Sequence, residues 1–122
     1  MSLSPDVIGI IGSYVGRYYL LSWIDPSKLK NSFLSLNPKA IDYLTDNPDR
    51  IDWDHLSGNP NAISLLNANL DKIDWYKLSR NPAAINLLRD NQRKIRWQSL
   101  SENPAIFELR VDPLLIDVLK EI

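Results

Sequence analysis

Apolar and polar positions along this chain return with a fixed period. Trp53, Trp75 and Trp97 stand 22 residues apart, and their neighbours follow the same spacing. Leu34, Leu56, Leu78 and Leu100 form one column, with Ser35, Ser57, Ser79 and Ser101 beside it. Asn37-Pro38, Asn59-Pro60, Asn81-Pro82 and Asn103-Pro104 come next. Ala40, Ala62 and Ala84 align with Ile106, and Ile41, Ile63 and Ile85 with Phe107. Leu44, Leu66 and Leu88 follow, and Arg110 breaks that column. Such self-similarity marks an array whose units cannot bury an apolar face alone and must stack.

Each column has a physical task if the unit is two short helices. An asparagine followed by proline is a strong start signal, because the side-chain oxygen takes an orphan amide and proline has none to satisfy. Ala62, Ile63, Leu65 and Leu66 then share one helical face. Asn69 is placed to end that helix, with a left-handed backbone as the expected conformation. A shorter helix begins with Asp52 or Asp74 as cap and sets Trp53 and Leu56 three apart on one face. A strand alternative exists, since leucine-rich repeats share this period and the Leu-Ser-x-Asn pattern. They require an apolar residue five positions before the asparagine, and here Asp54, Tyr76 and Gln98 stand there. Two positions after it the chain offers Lys39, Asn61, Ala83 and Ala105. Paired helices fit better.

The expected fold is therefore all-α, a short solenoid of 22-residue helix-turn-helix repeats between terminal capping helices. Residues 1–24 form the N-terminal caps, 25–110 about four repeats and 111–122 the C-terminal cap, all in one domain. Ser4-Pro5-Asp6 opens the first helix, and a second runs through Tyr18 to Ile24 before Asp25-Pro26 ends it. Residues 111–122 keep helical spacing but lose the register, as a terminal unit with one neighbour does.

Composition narrows the function classes. The 122 residues are 44% hydrophobic and 24% charged, with a formal net charge of −1 and no cysteine. No global field favours nucleic acid or an anionic membrane, and no disulfide or thiolate site is possible, which suits an intracellular protein. The apolar run Val7 to Ile24 carries Arg17 near its middle and Asp6 before it, contrary to a spanning helix or a signal peptide.

Catalytic readings find little purchase. His55 is the only histidine, and its column otherwise holds Phe33, Lys77 and Ser99. The serine column has no recurring base, so a structural ladder beside the asparagine caps is expected rather than a nucleophile. The glycines at 9, 12 and 16 do not make a phosphate loop. No enzyme activity, cofactor or metal is expected. Lys28, Arg50, Lys72 and Lys94 could form a basic stripe, thickened by Arg89, Arg93 and Arg96, but Asp49, Asp71 and Asp74 lie beside it.

Lys72-Ile73-Asp74-Trp75, followed by Leu78-Ser79-x-Asn81-Pro82-x-Ala84-Ile85-x-Leu87-Leu88, resembles the Asn-Pro-x-Ala-Ile repeat arrays in proteins of giant double-stranded DNA viruses. The likeness covers about Leu20 to Leu109. It implies a viral interaction protein in the host cytoplasm or nucleus, with no catalytic motif to map. Leu3-Ser4-Pro5-Asp6-Val7-Ile8 through Val15 is similar to the first helix of an F-box. That likeness implies docking to a Skp1-type adaptor of a ubiquitin ligase through Leu3, Pro5, Ile8 and Ile11. A plain amphipathic capping helix explains the same residues.

Constant columns hold a repeat fold, and positions that vary between copies are free for recognition. Asp54, His55, Tyr76, Lys77, Gln98 and Ser99 are thus the candidate contacts to another protein. Trp53, Trp75, Trp97, Asn37, Asn59, Asn81 and Asn103 are assigned to the structure of the repeat itself.

Overall fold

The computed structural model describes residues 16–122. Among these it is all-α, and the elements recur in the predicted order. Helices of a first type are α1 (Asn31–Leu36), α3 (Trp53–Leu56), α5 (Trp75–Ser79) and α7 (Trp97–Leu100). Those of a second type are α2 (Ile41–Asp46), α4 (Ile63–Asn67) and α6 (Ile85–Arg89). Short 3-10 turns precede the first type at Pro26–Lys28, Pro48–Arg50, Leu70–Lys72 and Gln92–Lys94. A last helix, α8, spans Pro113–Lys120. Like stacks on like: α1 packs on α3 and α5 on α7.

No helix of the array exceeds six residues, far below the length at which an isolated helix holds in water. Burial supplies what propensity does not. Leu44, Leu56, Leu66 and Leu78 are fully buried, Leu88 nearly so, and Ala62 and Ala84 sit at zero exposure where the second helix begins. The alanine column is small because the chain enters the helix inside the core. Trp53 and Trp75 pack their sides against this core while staying partly exposed.

Four expectations are corrected. Asn69 does not adopt a left-handed backbone; its φ is −139°, and no described residue has positive φ. Its side-chain amide instead donates to the Leu65 carbonyl at 2.9 Å, as Asn47 does to Tyr43 and Asn91 to Leu87. This reach of four residues back satisfies a helix-end carbonyl without αL geometry.

The segment 16–24 forms no helix. Arg17 pairs with Asp46 at 2.7 Å, and the Tyr18 amide donates to the Asp42 carboxylate at 2.9 Å. Contacts to α2 replace the intrahelical bonds, and the strap lies across the first end of the array, facing Leu34 and Ala40. Leu3, Pro5, Ile8 and Ile11 and the helix expected around them lie outside the described residues.

The fourth Asn-Pro copy makes only the 3-10 turn Pro104–Ile106, and the chain then runs extended from Phe107. Ile106 replaces the buried alanine, Phe107 the isoleucine and Arg110 the core leucine, so three positions of the next helix are wrong at once. Helix α8 forms within the segment expected to be helical, but it does not cap the array. None of its residues is buried.

No helix among the described residues is long and apolar enough to cross a membrane.

Candidate interaction surface

Two polar ladders run through the core and determine which side chains remain for recognition. Asn59, Asn81 and Asn103 are at most 2% exposed. Each side-chain oxygen accepts an amide two residues on, from Asn61, Ala83 and Ala105, at 3.0 to 3.1 Å. That is the expected cap. Each side-chain nitrogen also donates twice into the preceding repeat. Asn59 reaches the carbonyls of Ser35 and Asn37, Asn81 those of Ser57 and Asn59, and Asn103 those of Ser79 and Asn81, all between 2.9 and 3.1 Å. Asn37, first of the series, caps Lys39 and is exposed.

This second role was readable from the chain and missed. Serine, threonine or aspartate would cap as well, yet all four copies use asparagine, which alone among these carries both an acceptor oxygen and two donor hydrogens. The serine ladder does appear as expected. Ser35, Ser57 and Ser79 accept the amides of Asp52, Asp74 and Arg96 from the next repeat at 2.9 to 3.0 Å. Ser57 and Ser79 donate in turn to the carbonyls of Trp53 and Trp75.

Asp52 and Asp74 cap their helices by accepting the amides of His55 and Lys77. His55 Nδ1 also faces Asp52 at 3.0 Å. Burial raises the Asp52 carboxyl, but the imidazole and amide of His55 outweigh it and hold the group below the usual carboxylate range. The histidine thus extends a helix cap.

The six candidate contacts separate into two rows. Asp54, Tyr76 and Gln98 are exposed, one on each of α3, α5 and α7. His55 and Lys77 are half-buried, and Ser99 is 3% exposed, so Ser99 is withdrawn as a contact. Its column points partly between repeats, which sequence periodicity alone did not separate from the outward column beside it.

The basic column is engaged within the fold. The Arg50 guanidinium donates to Pro26 and Leu29 carbonyls, the Asn31 amide oxygen and the Tyr43 hydroxyl. Lys72 lies 5.0 Å from the Trp53 ring centre, a cation–π contact. Two of the four expected stripe residues therefore face the protein.

At the far end of the array the surface is open. Leu88, Ile95, Trp97, Leu100, Ile106 and Phe107 line an apolar groove of about 660 Å³, together with Arg89, Glu108 and Arg110. It is the side on which a further repeat would have stacked.

These features define an all-α solenoid of short helices held together by asparagine and serine ladders. Compared with protein-family models, curated proteins and solved structures, the chain matches none.

Proposed function

We propose that this chain is a non-catalytic scaffold that binds another protein along the row Asp54, Tyr76 and Gln98. The observation that carries this reading is a division of labour. Ser35, Ser57, Ser79, Asn59, Asn81 and Asn103 of the constant columns point inward and bond one unit to the next, whereas the exposed position of α3, α5 and α7 differs in chemistry from copy to copy. A solenoid recognises partners through such a row, because its spacing is fixed and each unit contributes one side chain. Tyr76, at 53% exposure, is its aromatic anchor. The resemblance to viral repeat arrays supports an interaction role in an infected cell.

A photo-crosslinking residue at position 76, introduced in the native cell, tests the reading. A protein crosslinked there, and lost when Asp54 and Gln98 are both changed to alanine in a chain with unchanged circular dichroism, is the expected result. Crosslinking indifferent to the neighbouring row would refute it. Nucleic acid is a weaker candidate because Arg50 and Lys72 are engaged within the fold; retention of RNA or DNA at low salt would reverse that order. The adaptor reading rests on the N-terminal likeness alone and fails if a Skp1-type protein is not captured.

A further inference from the structure

We infer that the groove at the end of the array receives helix α8 of a second copy of this chain, giving a reciprocal dimer. Among the described residues, both halves of an interface stand unmated. Helix α8 exposes Leu114, Leu115, Val118 and Leu119 at 53 to 74%, and it buries nothing. The array, which gives way to extended chain at Phe107 just before it, ends in the 660 Å³ apolar groove left by the missing second-type helix. An amphipathic helix laid in an apolar groove is a general recognition mode.

Charge points to the same pairing. Residues 111–122 carry Asp112, Asp117 and Glu121 against a single Lys120. The unit from 89 to 110 carries five basic residues and three acidic ones, with Arg89 and Arg110 beside the groove. The helix is net acidic; its seat is net basic, although Glu108 also lines it and pairs with Arg110, and Arg89 pairs with Asp90.

The connection decides whose helix enters. Phe107, Glu108 and Arg110 themselves line the groove, so Val111 and Asp112 alone would have to reverse the chain before Pro113. The residue before a proline is restricted to extended backbone, and Asp112 has φ −58° and ψ 130°. With only two residues for the reversal and Asp112 held extended, entry of the helix into its own groove is disfavoured and entry into that of a neighbour is favoured. Exchange of identical elements between protomers requires no new surface, and reciprocity closes it at two copies.

Light scattering on the full chain at a concentration on the order of 100 µM, above the micromolar range of modest interfaces, is expected to give a dimer. Changing Leu115 and Leu119 together to aspartate should weaken it about thirtyfold or more. The array still folds in that variant, because α8 contributes nothing to the core; unchanged circular dichroism of the remainder checks this. Trp97→Asp, at an exposed groove position, should dissociate the dimer as well. An equimolar mixture of the two variants retains one intact groove and one intact helix and should recover a heterodimer. A wild-type monomer at that concentration, a dimer indifferent to the helix substitutions, a mixture that stays monomeric, or species that grow without limit as concentration rises would each overturn the inference.

Discussion

The Asn81 side-chain amide donates at 3.1 Å to the backbone carbonyl of Asn59, its own counterpart one repeat earlier. The same nitrogen bonds the Ser57 carbonyl, and the side-chain oxygen caps Ala83. One buried side chain thereby starts a helix and fastens two repeats.

Asn81→Asp keeps the acceptor and loses both donors. It sets a buried carboxylate against two carbonyl oxygens, so it should be more harmful than Asn81→Ala, which loses the cap and leaves those carbonyls without this donor. We expect about 2 to 4 kcal/mol for alanine and a larger loss for aspartate at pH 7. Urea unfolding of both variants checks the order, and equal losses would mean that the amide donors contribute little.

Ser57→Ala should cost about 1 to 3 kcal/mol, because the Asp74 amide of the next repeat loses its partner. Ser101 occupies the same column, but its hydroxyl bonds only the Trp97 carbonyl at an exposed site. Ser101→Ala should therefore stay within about 0.5 kcal/mol of wild type. The pair, compared by thermal melting, separates a ladder contact from a merely recurrent residue.

Arg50→Lys is not a conservative change here. The planar guanidinium serves four acceptors and stacks at 5.9 Å from the Tyr43 ring centre, a fork that one ammonium cannot reproduce. A loss of about 1 to 3 kcal/mol is expected. Lys94→Ala, in the same column and exposed, should be close to neutral by the same denaturation measurement.

The Asp52 carboxyl gives a pH signature. Its folded value lies below the ordinary value of an aspartate carboxyl, so its charged form stabilises the fold fully above the unfolded value. That contribution fades as pH falls through the folded value. Asn at position 52 keeps a capping side chain without the charge. The stability difference between wild type and Asp52→Asn should shrink between pH 6 and about pH 3. A constant difference across that range would show that the carboxylate charge is irrelevant.

How much of this was legible beforehand depends on whether a residue acts within its own unit. Asp52 and Asp74 as caps, the Leu56 and Leu66 columns as core and the end of the array at Arg110 follow from spacing and local backbone chemistry alone. The inward face of Ser99 did not follow, because its column differs from that of Tyr76 by one step around a helix of only four or five residues. A single turn gives too little periodicity to separate outside from between.

The sequence by itself determined the period, the helical class and the residue types each unit needs, since caps, stops and apolar faces are set by contacts a few residues apart. Only the tertiary structure decided which unit bonds to which. The double donation of Asn59, Asn81 and Asn103 spans 22 and 24 residues, and no local rule specifies its target. The fate of α8 belongs to the same class: its sequence makes a helix, but whether that helix covers the array depends on the direction in which Asp112-Pro113 launches it and on the groove left by Phe107 and Arg110.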